Sequence, residues 1–136
     1  MQGDCLEMLA RIEPGPSTTI GLKLRRAPGD EEYTLVQYDS ATGHLSLDRD
    51  RASQSPGVHQ GVHGGPIPPG EDGLLTLHVF LDRTIVEVYA NGCACLTARI
   101  YPSREDSRGV ALIVQGGDAV VKAIDLWELA SDRATR

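Results

Sequence analysis

The chain has 136 residues, enough for one domain with a core and too few for two ordinary ones, and its 15 Gly and 8 Pro mark it as rich in turns. Its formal net charge is −6 and its basic residues are scattered apart from short pairs such as Arg25-Arg26, so neither nucleic acid nor an anionic membrane surface is expected as a partner. Aromatic residues are scarce, with four Tyr, one Phe and one Trp, so the core is expected to be built mainly from Leu, Val and Ile.

Met1 to Ala10 lacks the basic start and continuous apolar stretch of a signal peptide, and no apolar run approaches membrane-spanning length. A soluble chain is expected, with its compartment left open. Leu6, Met8 and Ala10 alternate with polar neighbours up to Ile12 and predict a first strand. After the turn Glu13 to Ser17, Ile20, Leu22 and Leu24 alternate with Gly21, Lys23 and Arg25, the pattern of a strand buried on one face. Tyr33 to Tyr38 predicts a third strand and His44 to Leu47 a short fourth.

From Asp48 to Asp72 the pattern fails. This stretch contains four Pro, five Gly and two His, and it predicts a long irregular loop with a short extended piece near Val58 to Val62.

Leu74 to Tyr101, reading LLTLHVFLDRTIVEVYANGCACLTARIY, holds three apolar segments separated by Asp82-Arg83-Thr84 and Asn91-Gly92. Asn-Gly between alternating apolar runs favours a type I′ turn, because both central residues need positive φ. The segment predicts a β-meander. Gly109 to Gln115, a hairpin turn at Gly116-Gly117-Asp118, and a last strand over Ala119 to Leu129 follow. Residues 1–130 are expected to form a single domain with 131–136 as a frayed tail. Nine or ten strands with turn chemistry between them predict an all-β, two-sheet antiparallel sandwich.

Three cysteines, Cys5, Cys93 and Cys95, make no disulfide framework, and buried thiols filling apolar space are expected. Cys5 pairing with Cys93 or Cys95 is the alternative. His59 and His63 sit at i, i+4, but the surrounding Gly and Pro deny the helix that would make this a metal site. His44 and His78 are expected at the surface or beside a polar partner. No metal and no cofactor is expected.

Carboxylates flank several turns, at Asp39, Asp48, Asp50, Asp82 and Asp106. A carboxylate pair is the machinery of glycoside hydrolysis. Glu87 lies between Val86 and Val88, so period-2 geometry directs it to the solvent face opposite those valines. Asp82 reads as a turn residue bonding its own backbone. No nucleophile elbow, P-loop or dinucleotide fingerprint is present.

The phrase LHVFLDRTIVEVYANG, followed by Thr97 and Tyr101-Pro102, resembles the C-terminal domain of glycoside hydrolase family 32, the invertases, levanases and inulinases. EEYTLVQYDSATGHLSLDRDRAS and the closing VKAIDLWEL are similar to further segments of that domain, so the resemblance covers about Cys5 to Leu129. It implies a concanavalin A-like jelly roll. It also implies that catalysis belongs elsewhere. The family's carboxylates lie on an N-terminal five-bladed β-propeller marked by W-x-N-D-P-N-G, R-D-P and E-C motifs, none of which occurs here.

Fructoside hydrolysis by this chain alone is therefore not expected. The resemblance implies a non-catalytic accessory module that docks to a propeller catalytic domain, in cis or in trans, or self-associates. A lectin-like module for fructans or other oligosaccharides is the alternative, although an alternating pattern is expected to bury about half of the six aromatic side chains. Candidate interface or glycan contacts are Asp82, Glu87, Tyr89 and Tyr101.

Overall fold

The computed structural model describes residues 2–57 and 60–129. His59, Val58 and the tail 131–136 lie outside the described residues. Ten strands run in the order β1 (Cys5–Pro14), β2 (Thr19–Arg26), β3 (Thr34–Asp39), β4 (His44–Asp48) and β5 (Val62–Pro66), then β6 (Leu75–Asp82), β7 (Ile85–Ala90), β8 (Ala94–Arg99), β9 (Gly109–Gln115) and β10 (Ala119–Glu128). One turn of 3-10 helix, Glu71–Gly73, precedes β6.

The strands form two five-stranded antiparallel sheets. Sheet I has the order β10-β1-β6-β7-β8 and sheet II the order β5-β4-β3-β2-β9. The architecture is the predicted two-sheet sandwich. Period-2 alternation decides which side chains meet between the sheets. Leu6, Met8, Ala10 and Ile12 of β1 and Leu75, Leu77, Val79 and Leu81 of β6 face Ile20, Leu22 and Leu24 of β2 and Leu45 and Leu47 of β4 in one buried cluster. Each of these large side chains contributes roughly 2 kcal/mol of burial. No aromatic side chain is fully buried.

Two features depart from expectation. Gly116-Gly117-Asp118 joins β9 and β10 but closes no hairpin, since β9 pairs with β2 in sheet II and β10 with β1 in sheet I. The turn carries the chain across from one sheet to the other. The Gly/Pro-rich loop also contains a strand, β5, paired along β4 from Asp48↔Val62 to His44↔Pro66. Its VHGGP wording has no alternation because Gly64 passes so close to β4 that a side chain would strike the Leu45 carbonyl oxygen.

Polar interactions tie down one end of the sandwich. Glu32, between β2 and β3, is fully buried. Its carboxylate accepts hydrogen bonds from the Ser107 hydroxyl (2.6 Å), the Ser103 hydroxyl (2.7 Å), and the backbone N–H groups of Ser103, Arg104 and Gln54. Burial alone would raise its pKa, but these donors outweigh that and hold it below the ordinary carboxylate value. Arg25, also buried, donates from Nε to the Ser107 carbonyl at 2.6 Å and from a terminal nitrogen to the Arg83 carbonyl at 2.8 Å. Burial pulls its pKa down despite the nearby Asp4 and Glu32 carboxylates. Its φ of 48° falls where β2 slips register against β9.

Candidate functional site

Sheet I presents its second face to the outside. Across this face the register brings together Trp127, Glu7, Phe80, Glu87 and Thr97 in one row. The neighbouring row holds Asp125, Leu9, His78, Tyr89 and Cys95. On the other side of the first row lie Cys5, Asp82, Ile85 and Arg99. Aromatic rings and carboxylates therefore alternate across the outer face of sheet I.

Three of the four residues singled out in the sequence, Asp82, Glu87 and Tyr89, share this face. Glu87 points away from the core as its position between two buried valines dictates, and its carboxylate accepts the Tyr89 hydroxyl at 2.9 Å. That bond, with the carboxylate charge behind it, raises the Tyr89 pKa. Asp82 sits at the exposed end of β6, where its carboxylate meets the Arg83 guanidinium at 3.3 Å rather than its own backbone. Tyr101 lies beyond β8 in the connection to β9, 45% exposed, and is not part of the face.

The rings are arranged in contact. Phe80 meets Tyr89 edge-on at 6.0 Å between centroids and His78 at 4.5 Å, while His78 Nε2 lies 2.6 Å from a Glu7 carboxylate oxygen. Trp127 and Tyr89 are 46% and 40% exposed. Half of the aromatics were expected to be buried. In fact Tyr33, Tyr38 and Phe80 are half-buried and Tyr89, Tyr101 and Trp127 exposed; of these only Tyr38 packs against the core cluster, which is otherwise filled by aliphatic side chains and Met8.

At the far end of the same face the surface deepens into a cavity of about 260 Å³ lined by Arg11, Gly70, Glu71, Leu74, Thr76, Asn91 and Gly92. Asn91 is the turn residue that the Asn-Gly pair predicts, and its φ of 52° fits that role. Its side chain also builds the cavity wall: Oδ1 accepts the Thr76 N–H at 2.9 Å and Nδ2 donates to the Pro68 carbonyl at 3.1 Å. Asn91 thereby ties Pro68 to the start of β6 and brackets the 70–74 loop, and it lies so close that a side chain at Gly70 would meet Asn91 Oδ1 at 2.9 Å. Arg11 and Glu71 form no ion pair among the described residues.

A second surface lies at the lateral margin of the sandwich, where β9 and β10 are the outermost strands of their sheets on the same side. Val114 pairs with Ile20 and Val121 with Ile12, so both point toward the space between the sheets. Both are nevertheless exposed, at 38% and 44%. Leu112, Ile124 and Leu126 are only partly covered. The edge strands leave these apolar side chains uncovered along this seam, while Ile12 and Ile20 beside them are buried.

The cysteines correct one expectation. Cys93 and Cys95 are exposed and Cys5 is half-buried, so none of the three fills buried apolar space. Cys93 belongs to the turn, and Cys95 takes an outward position on β8 because the inward positions go to Ala94, Leu96 and Ala98. Among the described residues no three His, Cys, Asp or Glu side chains converge as metal ligands.

Residues 1–128 match the family described as "Glycosyl hydrolases family 32 C terminal". The chain is 32% identical over 133 residues to the levanase of Bacillus subtilis (strain 168), covering 93% of this chain and 19% of that protein. The crystal structure of exo-inulinase from Aspergillus awamori superposes with a TM-score of 0.83 at 30% identity, over 96% of this chain and 26% of the inulinase. The galectin LEC-6 of Caenorhabditis elegans shares the fold alone, with a TM-score of 0.62 and 15% identity over 92% of this chain and 84% of its own. The chain thus spans about a fifth to a quarter of the length of the glycosidases it resembles.

Proposed function

Since the chain belongs to the C-terminal domains of glycosyl hydrolase family 32, we propose that it is the non-catalytic sandwich of a fructan- or sucrose-acting glycosidase and packs against that enzyme's propeller catalytic domain. The open seam between β9 and β10 carries this reading. Apolar side chains directed into the core of a finished sandwich are ordinarily covered, and Val114 and Val121 are left for a partner to cover. The proportion of the relatives' length that lies outside the matched region supports a large folded partner. The other candidate occupant is a second copy of this chain.

Hydrogen exchange tests the assignment. Adding a family 32 catalytic domain that lacks its own sandwich should slow exchange in Leu112–Val114 and Val120–Leu126. Protection confined to the outer face of sheet I, or absent altogether, would refute docking at the seam.

A second reading, carbohydrate contact, is favoured by the outer face of sheet I, where exposed rings adjoin carboxylates and a cavity with both polar and apolar walls. It is compatible with docking, because the seam and the cavity involve different strands.

A further inference from the structure

The cavity beside Arg11 has an unusual donor and acceptor inventory. Arg11 offers guanidinium N–H groups, Glu71 offers carboxylate oxygens, and neither is bonded to another side chain among the described residues. The Thr76 hydroxyl can do either. An anion would be drawn to Arg11 but repelled by Glu71, and a cation the reverse. A neutral ligand whose groups both donate and accept satisfies the two together, and sugar hydroxyls are such groups. Leu74 supplies an apolar wall for the ring's C–H face.

The cavity also lies on the same face of sheet I as the aromatic stripe. Thr76 is followed two positions later on β6 by His78, which stands opposite Tyr89 on β7. Two residues of extended strand cover about 7 Å, close to the span of one sugar ring. A chain leaving the cavity therefore crosses Tyr89, whose ring is held in place by its bond to Glu87 and its edge contact with Phe80. Carboxylates along the path would be costly under a dry protein interface, whereas hydroxyls can hydrogen-bond to them.

We propose that Arg11, Glu71 and Thr76 bind one ring of a neutral oligosaccharide in this cavity, and that the next ring stacks on Tyr89. Asn91 acts as a positioning residue through its bonds to Pro68 and Thr76 on either side of the 70–74 loop. The proposal rests on the carbohydrate-contact reading and adds to it a location and a direction for the bound chain.

Calorimetric titration of the full 136-residue chain with fructose, the fructosyl trisaccharide 1-kestose, levan and maltotriose provides the test. Saturable binding in the millimolar range or tighter is expected for at least one oligosaccharide, weakened about tenfold or more in both Arg11→Met and Glu71→Gln. Neither residue packs in the core, so both variants should melt with the parent chain. Tyr89→Ala should weaken the trisaccharide that binds while leaving fructose unaffected. Binding that survives Arg11→Met and Glu71→Gln would overturn this site and leave carbohydrate contact standing. No binding of any probe would overturn both. Equal weakening of mono- and trisaccharide by Tyr89→Ala would overturn the path across the ring.

Discussion

The carboxylate of Glu32 and the hydroxyl of Ser107 are separated by 75 positions in sequence and by 2.6 Å in space, and neither residue is exposed. Through this contact the β2–β3 connection grips the β8–β9 connection, with Gln54 of the β4–β5 loop drawn in as well. Irregular segments at this end of the sandwich therefore share one anchor. Replacing Glu32 by Gln turns one acceptor into a donor facing donors. It should cost about 2–3 kcal/mol, read as a shift in the denaturant midpoint at neutral pH.

The same contact has a pH signature. The Glu32 pKa is lowered in the folded chain from an ordinary value of 4.5. Its stabilisation is therefore complete above that value and is lost as pH falls through the depressed folded value. Denaturation curves from about pH 7 down to about pH 3 should show the parent chain losing more stability on acidification than Glu32→Gln. The lowered Asp30 and Asp106 are present in both chains, so the difference between the curves isolates Glu32. Parallel curves would contradict the assignment.

Asn91→Ala removes two hydrogen bonds, to Pro68 and Thr76, that bracket the 70–74 loop, and it places a side chain without local hydrogen bonding at φ 52°. A loss of about 1–2 kcal/mol is expected. Faster proteolysis within 68–74 should accompany it, since the loop loses its tie to the Pro68 carbonyl.

Gly21 lies on the outer face of sheet II, where an added Cβ would meet Ile113 Cγ1 at 2.8 Å and Leu35 Cδ1 at 3.2 Å. Ile113 Cγ1 belongs to a β-branched side chain with little freedom at χ1, so even Gly21→Ala should cost about 1 kcal/mol. Gly21→Val should cost about 1–3 kcal/mol in thermal unfolding, because both branches cannot be cleared at once.

In the native chain a thiol reagent should label Cys93 and Cys95 promptly and half-buried Cys5 more slowly. Three equal rates would indicate that β1 is not seated between β6 and β10.

Much of the fold could be read from local pattern. Alternation located β1 to β4 and the β6–β8 meander, and the same arithmetic placed Glu87 and Tyr89 on one outward face. What escaped was set by long-range geometry. A Gly-rich turn such as Gly116-Gly117-Asp118 has the same chemistry whether it closes a hairpin or crosses between sheets. β5 owes its strand conformation to β4 rather than to any apolar period of its own. The cavity draws Arg11, Glu71 and Asn91 from distant segments, with no motif to join them. Glu32 stood in the family-like phrase EEYTLVQYD, where nothing distinguishes a buried carboxylate from its exposed neighbour Glu31.

Sedimentation of the chain with a family 32 catalytic domain stripped of its sandwich, repeated with Val121→Asp, tests the docking role most directly. A one-to-one complex with the parent chain is expected, weakened about tenfold or more when a charge enters the seam. A clean monomer that ignores the catalytic domain, or a complex indifferent to Val121→Asp, would contradict that role.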